Sequence, residues 1–359
     1  MDRRSFIKGS AMVAALAALP GSLALGARKP KTGMRQRMLG KNLRVSAIGL
    51  GCMGMSYGFG MPKDKKEMVK VIHKALDMGV NFFDTAEAYG PFINEELVGE
   101  AFQGRRNRVI IATKFGIRYE GGKQVVDSSL KGMRASLEGS LKRLKTDRID
   151  LYYLHRVDPK VPIEDVAGLV SEFVKEGKVR EWGLSEPGLE TVRKAHAVLP
   201  LAALENQYHA MWRNPESELF PLLEKLNIGL VPFSPLNKGY LAGIFDENTV
   251  FCPKDLRPSF PWFQPENLKA NMPVVDFLKK WGEAKNASAA QIALAWMMAQ
   301  RPYIVPIPGT TNPAHLEENI AAAEIEFSTE ELAQFNSELS KIKISGDRYP
   351  PELAARIGK

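Results

Sequence analysis

Apolar positions along this chain follow two periods in turn. Short β-rich runs stand at Ala47–Leu50, Asn81–Asp84, Val109–Lys114, Asp150–His155, Glu181–Ser185, Leu201–Gln207, Gly229–Phe233 and Ile304–Ile307. Between them, apolar residues recur three and four apart. In "KEMVKVIHKALDMG", Met68, Val71, Ile72, Ala75 and Leu76 share one helical face, and "SLKGMRASLEGSLKRLK" repeats the pattern. Upstream, "QRMLGKNLRVS" reads as a hairpin around Gly40-Lys41-Asn42. Asn214-Pro215 and Asn312-Pro313 read as helix N-caps followed by proline. Ser328-x-x-Glu331 reads as a capping box.

Eight strand–helix units predict an α/β (β/α)8 TIM barrel, with an N-terminal β-hairpin and an extra C-terminal helix. A doubly wound sheet is the alternative, but nothing marks a second domain. The predicted organisation is a signal segment at 1–27, a linker at 28–35, the barrel at 36–345 and a tail at 346–359. The connection from about Asn237 to Ser288 contains "FCPKDLRPSFPWFQPEN", proline-rich and aperiodic, as functional loops often are.

Composition narrows the partners. The formal net charge is +8, with scattered basic residues and no long run, which fits an anionic small ligand or plain solubility rather than nucleic acid. Cys52 and Cys252 are too few for a disulfide scaffold, and no Cys/His cluster has metal spacing, so no metal is expected. The start, "MDRRSFIKGS AMVAALAALP GSLALGA", is charged and then apolar. Its apolar part is short and broken by Pro20-Gly21, so no stable membrane span is expected in the mature protein. Arg3-Arg4-Ser5-Phe6-Ile7-Lys8 resembles the twin-arginine signal, which implies the twin-arginine export machinery as a partner and a periplasmic or otherwise exported protein. Cleavage after Ala24 and after Gly26 both remain open, and an uncleaved N-terminus of a cytoplasmic protein is the alternative.

"AIGLGCMGMSYG" contains Gly49-x-Gly51-x-x-Gly54, a literal dinucleotide fingerprint. The fingerprint needs a helix opening inside the glycines and an acid about 20 positions on. Here a loop follows, and helical periodicity begins only near Asp64. The glycines instead fit a tight strand end beside a ligand.

Catalytic groups of a barrel cluster at strand C-termini. The second, third and fourth strands end in Asp84, Lys114 and His155, and Tyr89 lies in an adjoining loop. A phenol has a pKa near 10, and a nearby ammonium lowers it. With Asp84 pairing Lys114 and His155 orienting an oxygen, the set suits protonating a carbonyl while a nicotinamide supplies hydride.

The motifs "GVNFFDTAEAYG", "VIIATKFG", "DLYYLH", "WGLSE", "ENQYHAMWR", "VPFSPLNKGYLAG" and "PIPGTTNPAHLEEN" make the chain resemble an aldo-keto reductase from Met38 to about Leu339. The resemblance implies a barrel binding NADP(H), with NAD(H) as the alternative, and an enzyme that interconverts a carbonyl and its alcohol. Its tetrad falls on Asp84, Tyr89, Lys114 and His155, with Tyr89 as general acid/base. Cofactor contacts fall on Gly51 and Met53, on Ser185 and Gln207, and on Phe233, Ser234, Pro235, Leu236 and Gly239. The phosphate and adenine end falls on Gly309, Thr310, Thr311, His315, Glu318 and Asn319, where a strand runs into a helix N-terminus. Tyr57, Trp212 and Trp262 are the expected pocket wall, and Tyr208 is expected in the core.

Three positions depart from the family pattern. Glu186 stands for the usual Asn and cannot donate to an amide oxygen. His315 stands for a frequent Arg, which grips a 2′-phosphate better. Trp262 also stands where Arg is common. Glu87 is expected either at the mouth or bracing a loop. Cys52 and Cys252, on the same barrel face, are a candidate pair in an oxidising compartment. A nucleotide-binding regulatory subunit without turnover is the alternative function, and a hydrolase using Asp84 and Glu87 is a weaker one.

Overall fold

A computed structural model describes residues 33–359. The signal segment expected at 1–27, and the linker as far as residue 32, lie outside the described residues. Seven parallel strands form one curled sheet in chain order: β1 Leu50–Gly51, β2 Phe82–Asp84, β3 Ile110–Phe115, β4 Ile149–Leu154, β5 Val179–Ser185, β6 Ala203–Glu205 and β7 Gly229–Leu230. Residues 303–309 close the ring. On one side the Val305 and Ile307 amides donate to Leu230 and Pro232 oxygens at 2.8 and 3.2 Å. On the other side the Pro306 and Pro308 oxygens accept from the Gly49 and Gly51 amides at 3.0 and 3.4 Å. Two prolines have no N–H to return, so the eighth segment closes the (β/α)8 barrel without becoming a regular strand.

The hairpin Gln36–Leu39 and Leu43–Ser46 plugs the N-terminal end of the barrel. Its Leu39, Leu43 and Val45 pack with the barrel-lining Phe82, Ala112, Leu151, Tyr153, Ala203, Val231, Val305 and Ile307. A Cβ on Gly229 would sit 2.4 Å from Leu39 Cδ2, so glycine there lets the hairpin press in.

Helix signals in the sequence correspond to observed caps. Asp64 accepts from Glu67 N and opens the helix Lys65–Asp77, which buries the expected face. Asn312 caps Pro313–Ala321, and the Ser328–Glu331 capping box opens the C-terminal helix Thr329–Leu339. Asn214-Pro215 differs from expectation. It opens the 3-10 turn Asn214–Glu216, and the helix Leu219–Leu226 starts later. Glu216 is drawn back by Arg213 and the Tyr208 hydroxyl, which closes the turn before the helix can begin. A second hairpin, Ile117–Glu120 with Lys123–Val126, follows β3. Gly121 and Gly122 (φ 55° and 78°) give its two-residue turn, a Gly-Gly hairpin signal in the sequence.

After β1 comes the 3-10 turn Met53–Met55 rather than a helix. A Cβ on Gly51 would lie 2.8 Å from Ile307 O, so its missing side chain serves barrel closure. Cys52 is buried, Cys252 exposed, and both are free. Among the described residues no helix is long and apolar enough to cross a membrane.

Candidate active site

A strand presents alternate residues to one face, so the residue two beyond each barrel-lining side chain emerges at the rim. Phe82 leads to Asp84, Ala112 to Lys114, Tyr153 to His155, Ala203 to Glu205, Val231 to Phe233, and Ile307 to Gly309. These groups share the C-terminal end of the barrel.

Lys114 is fully buried, and its Nζ donates to Asp84 Oδ1 at 2.5 Å and to Thr85 O at 3.0 Å. Glu205 Oε2 lies 3.2 Å from the same ammonium. Burial alone would pull the Lys114 pKa down, but Asp84 and Glu205 outweigh it and hold the amine charged. Lys114 Nζ is 5.2 Å from the centre of the Tyr89 ring, and the Tyr89 and His155 rings meet edge to face at 5.9 Å. Tyr57 stacks on Tyr89 with ring centres 6.4 Å apart.

The Tyr89 phenol differs from expectation. Burial raises its pKa, Lys114 opposes, and Asp84 and Glu205 add to the rise because they offset the ammonium. The phenol is therefore protonated at neutral pH, the form an acid needs. Burial, then Arg156 and Lys114, push His155 well below its ordinary pKa, leaving a neutral imidazole.

The loop that carries Tyr89 is braced from below. Thr85 Oγ1 donates to Asn94 Oδ1 at 2.6 Å, and Asn94 Nδ2 donates to Cys52 O at 2.9 Å and Ser56 Oγ at 2.7 Å. The Tyr119 hydroxyl donates to Ala88 O at 3.0 Å. Glu87 is buried, accepts from Ser136 Oγ at 3.0 Å and lies near Arg143, so it braces this loop and does not face the mouth.

A second cluster spans the ends of β5, β6 and β7. Glu186 has φ 53°, and its backbone is held by Glu205 O and Gly358 N. Its carboxylate accepts from Gln207 N at 2.6 Å and pairs with Arg348, both side chains being buried. The Arg348 guanidinium lies 4.9 Å from the Trp212 ring and 4.4 Å from the Tyr349 ring. Trp262 Nε1 donates to Gly346 O at 2.9 Å, and Asn271 exchanges two bonds with the Ser345 backbone. The segment 345–359 is thus docked across this rim. Lys238 Nζ is buried without a hydrogen-bond partner among the described residues, 4.2 Å from the Phe260 ring. Burial and the Arg348 charge lower its pKa to about 7.

Comparison with known proteins agrees with this geometry. The Aldo/keto reductase family profile matches residues 47–339. This chain belongs to the aldo-keto reductase family. Members are oxidoreductases. A probable aldo-keto reductase from Glycine max is 39% identical over 311 residues, covering 86% of this chain and 90% of that protein. The glycerol dehydrogenase of Gluconobacter oxydans superposes with a TM-score of 0.78 at 29% identity, covering 88% of this chain and 97% of that one. The holo form of a Bacillus halodurans aldo-keto reductase gives a TM-score of 0.69 at 27% identity, covering 87% and 98%. A twin-arginine translocation signal profile matches residues 1–20, which points to export.

Among the residues expected in this aldo-keto reductase's site, the structure brings Asp84, Tyr89, Lys114 and His155 together. Ser185 donates to Glu205 O and accepts from Arg156 Nη1 at 2.9 Å. Gln207 is fully buried, with Nε2 against His209 Nε2 at 2.8 Å. Ser234 and Gly239 (φ 47° and 100°) shape the turn after β7, with Pro235 and Leu236 between them. Gly309, Thr310 and Thr311 run into the capped helix that carries the exposed His315, the half-buried Glu318 and the buried Asn319. Trp262 is only 2% exposed, packed beneath the C-terminal segment against His209 and Trp212. It does not line an open wall, because Gly346 covers its indole edge. Tyr208 is buried, as expected, with its hydroxyl on Glu216.

Glu205, Lys238 and Arg348 were not singled out from the sequence. Counting two residues on from Ala203 finds Glu205. The other two carry no local signal.

Proposed function

We propose that this aldo-keto reductase is an exported NADP(H)-dependent enzyme that interconverts an aldehyde or ketone and its alcohol. The signal at 1–27 is removed, and the barrel at 36–345 works with 346–359 laid over one side of its mouth. The reading is supported most directly by a phenol, an ammonium, a carboxylate and a neutral imidazole meeting at one strand-end rim. When bound, the nicotinamide supplies the hydride.

Tyr89 donates the proton to the substrate oxygen. Lys114, held charged by its close pairing with Asp84, stabilises the phenolate left behind. His155, neutral, has one N–H and donates it to the same oxygen to fix its direction. Its Nδ1 has no partner among the described residues, so the ring is not committed elsewhere through that atom.

The residues present fit a dinucleotide. A buried ammonium at Lys238 without a hydrogen-bond partner, beside the Arg348 guanidinium, suits a phosphate. Ser185, Gln207, Phe233, Ser234, Pro235, Leu236 and Gly239 would hold the nicotinamide side, with Gly51 and Met53 next to them. Gly309, Thr310, Thr311, His315, Glu318 and Asn319 would hold the adenosine phosphate end. Tyr57 and Trp212 flank the substrate.

Fluorescence titration with NADPH and NADH, followed by a panel of aldehydes, ketones and small polyols, tests this. Polyols join the panel because the Gluconobacter relative is a glycerol dehydrogenase. Tight nucleotide binding with no turnover on any substrate would favour a regulatory subunit.

A further inference from the structure

The catalytic cluster contains one carboxylate more than its cation can neutralise. Asp84 and Glu205 are both buried, at 3% and 2% exposure, against the single ammonium of Lys114. Asp84 takes the short 2.5 Å bond. Glu205 sits at 3.2 Å, and Glu205 Oε2 and Asp84 Oδ2 both lack a hydrogen-bond partner among the described residues. Two buried carboxyl groups sharing one ammonium are relieved by one added proton, which removes one of the two negative charges.

We infer that Glu205 is a positioning residue that carries this proton at neutral pH, so that the Asp84–Lys114–Glu205 cluster is neutral beside Tyr89 and its ionisation weakens Tyr89 as an acid. The inference rests on the reductase reading only for its consequence in turnover; the proton itself belongs to the free protein.

The groups facing Glu205 come from every neighbouring strand. Asp84 is on β2, Tyr89 on the loop after it, and Lys114 on β3. The Tyr153 hydroxyl is on β4, Arg156 follows that strand, and the Ser185 hydroxyl ends β5. The Cys52 thiol after β1 faces Asp84. Arg156 spends Nη1 on Ser185 Oγ and His155 O, and the Glu186 carboxylate is turned to Gln207 N and Arg348. Lys114 is thus the cation that must serve both acids. Burial first, then the Asp84 charge, raise Glu205 to about 8, with Lys114 opposing.

With the proton bound, the cluster carries no net charge. As pH rises through 8 the proton leaves to water, the cluster becomes negative, and the phenol beside it gives up its own proton less readily. Reduction should therefore fall about tenfold between pH 7 and pH 9, the range over which the protonated fraction falls by that factor.

The test uses the full-length mature protein in two measurements. Infrared spectra of nucleotide-free protein, stepped from pH 6 to pH 10, read the buried carboxylic-acid carbonyl band directly. The pH profile of kcat for carbonyl reduction reads its consequence. The wild type should show an acid component that disappears around pH 8, and Glu205→Gln should lose that component and keep only the one from the buried Glu87 carboxyl, which burial raises to about 7. Wild-type kcat should fall over the same range, while Glu205→Gln changes less than about twofold. Glu205→Asp should restore both features. An ionising band and a kcat limb that persist unchanged in Glu205→Gln would overturn the inference. So would a wild type with no acid component that disappears around pH 8, which settles the matter even if the variant fails to fold. A normal infrared result with no turnover would leave the proton in place and sink the reductase reading instead.

Discussion

The two halves of the rim are built by different means. On the β2–β4 side, Asp84, Lys114 and His155 stand at strand ends, each two residues beyond a barrel-lining side chain. The Tyr89 loop is tied down by Thr85, Asn94 and Tyr119. On the β5–β7 side, Glu186, Lys238 and Arg348 come from segments far apart in sequence, two of them at positive φ, and are held largely by the docked C-terminal segment. A reaction centre on rigid strands keeps its geometry through every turnover. A cluster closed by a strap can open and reclose. The first side fits the chemistry, and the second fits holding a nucleotide.

If that division of labour holds, damage to the two sides should separate cleanly. The largest effect is expected at Tyr89. Tyr89→Phe should cut kcat/KM for carbonyl reduction by about 10²–10⁴, the usual worth of a positioned acid, and leave NADPH affinity unchanged in a fluorescence titration. Next comes the strap. Arg348→Ala strands the buried Glu186 carboxylate and should cost about 3–5 kcal/mol in denaturant unfolding, with faster amide exchange across residues 345–359. Lys238→Met should weaken nucleotide binding about tenfold to a hundredfold, the loss of one hydrogen bond to a charged group, with kcat retained at saturation. Because burial and Arg348 hold Lys238 near 7, the ammonium is charged below that pH and neutral above it. Wild-type affinity should weaken as pH rises through 7, and the variant should lose that slope. The smallest effect is expected at Trp262→Phe, which removes the bond to Gly346 O and part of a buried ring and should cost about 1–2 kcal/mol.

The same contrast explains what could be read from the sequence. Strand-end chemistry is legible because period-two alternation is local: Asp84, Lys114 and His155 follow from where each apolar run stops. The rejection of the glycine fingerprint was legible for the same reason, since helical periodicity starts only at Asp64, where the cap is found. Glu205 obeys the same count, but the apolar run read as Leu201–Gln207 overshoots the strand Ala203–Glu205 by two residues and pointed instead to Gln207. The eighth strand was legible as an apolar run, while its irregularity follows from Pro306 and Pro308. Arg348 meets Glu186 across 162 residues of sequence, and no local pattern announces such a pair. Nor does composition show that burial reverses the expected direction of the Tyr89 shift. That follows only once both carboxylates are seen around Lys114.

Single-turnover reduction at saturating NADPH, run side by side on wild type, Tyr89→Phe and Lys238→Met, asks the central question most directly. Tyr89→Phe should bind nucleotide like the wild type and transfer hydride at least a hundredfold more slowly. Lys238→Met should need more nucleotide and then react at close to the wild-type rate. Hydride transfer at the wild-type rate in Tyr89→Phe would contradict the assignment of the proton to this phenol and, with it, the division between the two sides of the rim.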